Sequence, residues 1–226
     1  MIAETLAWLT DPGHWEGTGG IARRSLEHLQ YTGTVILIAL IIAVPFGWWI
    51  GHTRRFSGIV VGVSAAARAL PTLGLITLFA VLMGIGVVPP LAALVILAIP
   101  SVLAGAFSGF DTVDPRVVDA ARAQGFTTAQ IVTRIEIPLG LPLLLGGIRT
   151  ATLQVMSTAT LAAYVGAGGL GRFVFLGLNT QQYAMMLGAS VMVIVLTLLI
   201  DLALAGVQRA AVPHGQRLAA ASPDSA

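Results

Sequence analysis

Long apolar runs alternate with shorter polar intervals along the chain, and the lengths of the runs predict membrane-spanning helices. About 20 apolar residues, each adding about 1.5 Å, cross the hydrocarbon of a bilayer. Residues 34–51 make the first such run, which ends in Trp48-Trp49 and is followed by His52, Arg54 and Arg55. Residues 57–86 make the second, and 30 residues are too many for one straight crossing. Pro71 and Gly74 are placed to kink or break it. A turn over residues 86–90 leads into the third run at 91–107. The fourth covers 139–165 and the fifth 183–207, with a glycine-rich connector over 166–182 between them. Five crossings are expected. A sixth arises only if the second run crosses twice, and the pieces flanking Pro71 are short for that.

Residues 1–31 mix Trp8 and Trp15 with Glu4, Asp11, Glu16 and Glu27. They lack the charged start, apolar run and small-residue cleavage site of a signal peptide, so the segment is expected to remain. Ile21, Leu26 and Leu29 beside Arg23, Arg24 and Glu27 predict a short amphipathic helix on the membrane surface, with the tryptophans as anchors. Residues 208–226 read as a polar, alanine-rich tail that frays. The chain divides into an interfacial segment (1–31), a membrane domain (32–207) and this tail (208–226).

The longest polar interval, residues 114–138, has the grammar of two short helices joined by a turn. Asp114 can cap the first helix, with Pro115 where a missing N–H does no harm. Gly125 can take the left-handed conformation that ends it. Thr127 with Gln130 makes a capping box for the second helix, and Pro138 is expected to close the segment. Arg116, Asp119 and Arg122 share a wet face, while Val117, Ala121 and Gln124 fall on another side, open to close approach by a partner. Ile131 and Ile135 lie one turn apart on the second helix.

Composition fixes the class. Of 226 residues 56% are hydrophobic and only 10% charged, where a soluble domain carries about 25% charged residues. This is a polytopic all-α membrane protein. All 12 basic residues are arginine. A P-loop needs a lysine on the nucleotide phosphates, so any ATP-hydrolysing step belongs to another polypeptide. There is no cysteine and hence no disulfide framework. His14, His28, His52 and His214 show no ligand spacing, and no nucleophile–base pair is visible, so neither a metal site nor a catalytic residue is assigned.

Polar residues within the apolar runs are few and therefore informative. Thr150, Gln154, Ser157 and Tyr164 fall on one face of the fourth run, with Thr160 adjoining. Such groups need partners or water, so this face lines a translocation route or hydrogen-bonds neighbouring helices, and composition fits both readings. Arg68, Arg149 and Asp201 are intramembrane charges. Arg149 and Asp201 are placed to pair, for structure or as part of an ion relay. Gly166, Gly168 and Gly171 spell a dinucleotide fingerprint without its strand or its acid, so a turn with close backbone approach is the better reading. Gly58 and Gly62 offer a close helix contact.

The polar interval carries a resemblance. Asp119-Ala120-Ala121, three residues, Gly125, nine residues and Ile135-Glu136-Ile137-Pro138 match the spacing of the EAA loop in permease subunits of bacterial ABC importers. Asp119 stands for the usual Glu and Ile137 for Leu. The opening WLTDPGHWEG, with IARRSLEHLQYT and VPFGWWIGHT, resembles the osmoprotectant branch. That branch imports glycine betaine, choline, carnitine or proline betaine. RALPTLGLITL and LAAYVGAGGLGRFVFLGL are similar to stretches shared with methionine importers. The resemblance implies a type I importer fold with a five-helix core. It implies a second permease subunit, identical or sister, and cytoplasmic ABC ATPases that hold Asp119, Ala120, Ala121, Gly125, Ile135 and Pro138. An extracytoplasmic substrate-binding protein selects the solute, and nucleic acid has no role. No cofactor is implied in this chain, since ATP and magnesium sit on the ATPase.

Placing the loop inside puts Arg54, Arg55, Arg116, Arg122, Arg134, Arg209 and Arg217 on the cytoplasmic face of the cell membrane, with Arg23, Arg24 and Arg172 outside. The C-terminus is then cytoplasmic. The alternatives are a methionine or other amino-acid importer permease, and a secondary transporter. The latter would need internal repeats and more membrane acids than the chain has.

Overall fold

The computed structural model describes residues 1–212, without the side chains of Val63 and Arg68. The Arg68 side chain, His214, Arg217 and most of the predicted tail therefore lie outside the described residues. The described chain is helical, in the order α1 (Ile2–Thr10), α2 (Ile21–Thr53), α3 (Ser57–Ala69), α4 (Thr72–Met83), α5 (Val88–Asp111), α6 (Pro115–Ala123), α7 (Thr128–Ile131), α8 (Ile137–Thr158), α9 (Gly171–Asn179) and α10 (Tyr183–Ala211). A π turn, Val132–Glu136, joins α7 to α8, and a 3₁₀ segment, Ala159–Val165, follows α8.

Among the described residues four helical stretches are long and apolar enough to cross a membrane: Ile21–Thr53, Val88–Asp111, Thr128–Val165 and Tyr183–Ala211. The α3–α4 pair makes a fifth if counted as one broken span, bent by 86°. The break falls at Leu70-Pro71, as the proline predicts, because α4 starts only after the residue whose N–H is missing.

Four expectations are corrected. The amphipathic stretch at residues 21–31 is not a separate surface helix but the start of α2, whose 33 residues reach about 50 Å. That exceeds the hydrocarbon core of about 30 Å, so the polar turns belong to the part of the helix outside it. Pro89 and Pro90 are not in a turn but in the first turn of α5, where a missing N–H costs nothing. The connector at 166–182 holds a helix of its own, α9. Pro138 does not close the hairpin, because helix continues through it. Immediately before it Ile137 N–H donates to Val132 O, five residues back. That wider turn relieves the clash a proline ring makes with the carbonyl four residues behind.

The core sits where α5 passes between α2 and α8. Val35, Ala39 and Ala43 of α2 meet Leu94, Ala98, Val102 and Ala106 of α5 and Ala151 and Val155 of α8. Small residues let the backbones approach, as dispersion-driven packing in lipid favours. A methyl group on Gly109 would lie 2.6 Å from the Gly140 carbonyl oxygen, so the α5–α8 contact is backbone against backbone there. Gly58 and Gly62, by contrast, have no neighbour at that range, and the close contact open to them is not made among the described residues.

Candidate functional site

The hairpin from Asp114 to Ile135 builds itself from local bonds. The Asp114 carboxylate accepts from Arg116 N–H at 2.8 Å, and Pro115 occupies the first turn of α6. At the other end Gly125 has φ +85°, which L side chains adopt only with strain. Phe126 N–H donates to Ala121 O at 3.1 Å and Gly125 N–H to Arg122 O at 2.9 Å. This is the Schellman pair of bonds, and Phe126 adds an apolar contact by packing against the cluster of Val113, Val118, Ala121 and Ile131. The capping box is complete: Gln130 N–H donates to Thr127 Oγ1 at 3.4 Å, and Thr127 N–H donates to Gln130 Oε1 at 2.8 Å. Beneath it Val113, Val118, Ala121 and Ile131 form a small core of their own, flanked by Ile135 and Leu139.

Asp119 lies on the outer face, 3.5 Å from Arg122. Val117, Ala120, Gln124, Phe126 and Ile135 border an open groove of about 650 Å³ with Arg116 and Arg134 at its rim. Ala121, expected on the approachable side, also lines the groove, and at 6% exposed it belongs to the hairpin core as well. Ala120 is the exposed alanine of the pair. The groove thus has an apolar floor and two guanidinium groups at its edge, a shape suited to an apolar knob with acidic neighbours.

A second feature opens among α3, α5 and α8, a cavity of about 520 Å³ whose lining includes Ser101, Gly105, Gly147, Thr150 and Gln154. Gln154 reaches across to α5, accepting from Ser101 Oγ at 3.4 Å and donating to Leu97 O at 3.5 Å. Ser157 keeps the face of Thr150 and Gln154 within α8 but is not in the cavity lining, and Thr160 and Tyr164 lie in the 3₁₀ segment. Ser157 and Thr160 donate to carbonyls of their own helical run, those of Gln154 and Ser157. Tyr164 sits in the 3₁₀ segment and meets Phe175, centroids 5.7 Å apart. A 3.6-residue period does not survive the change of helix type at Ala159, so Tyr164 does not continue the face of Thr150, Gln154 and Ser157. Arg149 and Asp201 do pair: Arg149 Nη2 donates to Asp201 Oδ2 at 2.8 Å, alongside a second bond from Nε to Oδ1. Gln208 Nε2 donates to Pro142 O at 2.9 Å and reinforces that α8–α10 contact.

Sequence reasoning missed two polar clusters. At the end of the helices away from the hairpin, Glu27 Oε2 accepts from Gly169 N–H at 3.0 Å and from Arg24 Nη1 at 2.7 Å, with Arg23 Nε 3.4 Å from its other oxygen. Tyr31 hydroxyl accepts from Gly168 N–H at 3.3 Å, and His28 Nε2 donates to Met156 O at 2.9 Å. The glycine-rich turn is therefore a surface held against α2, close enough that a side chain at Gly168 would strike Glu27. At the hairpin end His52 meets Glu136. The acid at residue 136 is visible inside the loop motif, but nothing local points it at His52, 84 residues away.

These features define a polytopic helical membrane protein that presents a capped polar hairpin at one end of a bundle built around α5, with a cavity of mixed polar and apolar lining beside it. Residues 43–214 match the family described as binding-protein-dependent transport system inner membrane component, and the chain belongs to it. It is 32% identical over 201 residues to the choline transport system permease protein OpuBB of Bacillus subtilis, covering 88% of this chain and 93% of that one. It is 32% identical over 197 residues to the glycine betaine/carnitine/choline permease OpuCB of the same organism, covering 87% and 91%. The osmoprotectant import permease OsmW of Salmonella typhimurium is 29% identical over 207 residues, covering 89% and 96%. Among solved structures, a chain of the MetNI methionine ABC transporter in an inward-facing conformation superposes with TM-score 0.73 at 23% identity. It covers 85% of this chain and 96% of that one. The fold is that of a type I importer permease.

Proposed function

We propose that this chain forms the translocation path of an ATP-driven importer for a small osmoprotectant such as glycine betaine, choline, carnitine or proline betaine. The hairpin carries the reading: a rigid, doubly capped element with an apolar groove is what a separate motor needs to grip. Local bonds at both ends mean that a push on it is passed on as rigid-body motion rather than absorbed as bending. In this reading a cytoplasmic ATPase, which holds ATP and magnesium, seats against Val117, Ala120 and Ile135. The hairpin and C-terminus face the cytoplasm, a second permease subunit completes the path, and an external binding protein delivers the solute. Thr150 and Gln154 line a stretch of the route.

The choice of cargo rests on relatives whose names specify choline, carnitine, glycine betaine or osmoprotectants. The amino-acid alternative keeps a likeness of fold, which does not specify cargo. Co-expression with an ATPase and binding protein encoded alongside it tests the proposal. The expected result is a complex that survives purification and takes up labelled betaine or choline only with ATP. Recovery without any ATPase, or uptake of methionine in place of betaine and choline, overturns it.

A further inference from the structure

The last turn of α2 meets the hairpin at two polar contacts. His52 Nδ1–H donates to Glu136 Oε2 at 2.7 Å, and Arg54 Nη2 donates to Val113 O at 2.8 Å. Val113 lies just ahead of α6 and Glu136 in the π turn behind α7. The end of α2 is thus bonded to the chain on both sides of the hairpin. Glu136 is only 5% exposed, and a carboxylate so deep requires the partner that His52 supplies.

Apolar packing joins the end of α2 to the end of α5, where Trp48 stacks on Phe110 with centroids 5.6 Å apart, and not to the hairpin itself. The cluster under the hairpin contains Val113, Val118, Ala121 and Ile131, and the one between the spans contains the apolar residues of α2; no residue of α2 belongs to the former. Where the two bodies face each other there is a cavity of about 210 Å³ lined by His52, Arg54, Val118, Arg122 and Glu136. A displacement of the hairpin reaches α2 directly through these side-chain bonds, and otherwise only by way of α5 and α8. From there α2 runs without a break in its helix to Glu27, which holds the glycine-rich turn at the far end.

Resting on the reading of the hairpin as the motor's handle, we infer that His52 and Glu136 form a direct joint through which hairpin motion drives α2, and that the pair stays together throughout the transport cycle. Both are positioning residues.

The chain has no cysteine, which makes the test clean. The complete transporter, with its ATPase and binding protein, is reconstituted in liposomes, and solute imported per ATP hydrolysed is measured. Assembly and uptake by the unsubstituted protein report on the handle reading itself; the coupling ratio of the variants reports on the joint. His52→Ala should still bind the ATPase and hydrolyse ATP while the ratio falls about ten-fold or more. His52→Asn, whose amide nitrogen stands where Nδ1 stood and can still donate to Glu136, should return to within about three-fold of the unsubstituted protein. The double variant His52→Cys/Glu136→Cys should be uncoupled until a short bifunctional thiosulfonate bridges the pair, and uncoupled again when a reductant cleaves the bridge. A His52→Ala ratio within about two-fold of normal overturns the joint. So does a bridged pair that stops uptake, because the two residues would then have to part. If His52→Ala fails to reach the membrane, the bridged pair decides.

Discussion

The bonds that shape the hairpin, from Asp114 to Arg116, Thr127 to Gln130 and Phe126 to Ala121, join residues two to five positions apart. The turn at the other end of the bundle is also polar and glycine-rich, yet its bonds to Tyr31 and Glu27 span 137 and 142 positions. The two ends differ in how far along the chain the side-chain bonds that hold them reach. The hairpin keeps its shape whatever the spans do, as a lever must. The far turn opens on local bonds too, Ala167 N–H to Ala162 O and Gly166 N–H to Ala163 O, but side chains of α2 also fasten it, so a motion of α2 reaches the turn.

That difference decides what each end does when damaged, and the largest effect is expected at the far turn. Glu27→Ala removes the acceptor of Gly169 N–H and the counter-charge of Arg24. Leaving such a group unpaired costs about 1–3 kcal/mol. The thermal midpoint of the whole purified protein should fall, and protease should cut within residues 166–170. An unchanged midpoint would mean that the turn is held by something other than α2.

Gly125→Val should do the reverse. A branched side chain at φ +85° costs about 1–2 kcal/mol, and the loss falls on the hairpin, which has a separate small core. The global midpoint should hold while solute uptake per ATP collapses. A normal coupling ratio would show that the hairpin's shape is immaterial.

The smallest effect is expected from Thr127→Ala, which removes half of the capping box at about 1 kcal/mol. Amide exchange should quicken in α7 and its neighbouring turn and leave α5 as before. Faster exchange in α5 as well would make the hairpin and the spans one cooperative unit and erase the difference between the two ends.

The same contrast explains what is legible in the sequence. Asp114, Gly125 and the Thr127–Gln130 box act on their own neighbours, so residue type and spacing predict them correctly. Pro71 breaks the second run for the same reason: its effect is on its own turn. Arg149 and Asp201 are recognisable as partners because charge is rare in these runs, and rarity narrows the choice. His52–Glu136 has no such help, since one partner sits after the first span and the other inside a motif that already has a reading. The predicted polar face of the fourth run fails in part because α8 gives way to a 3₁₀ segment at Ala159, and no residue there announces the change. Pro138 misleads in the other direction: its ring suggests a stop, and a π turn ahead of it absorbs the conflict.

The most direct test uses the absence of cysteine. Ala120→Cys places a single thiol in the exposed groove of the hairpin. In intact cells that thiol should resist a membrane-impermeant maleimide added outside, and in membranes a short cross-linker should join it to a nucleotide-hydrolysing subunit. Labelling from outside, or a cross-link that captures no such subunit, would contradict a hairpin gripped from the cytoplasm.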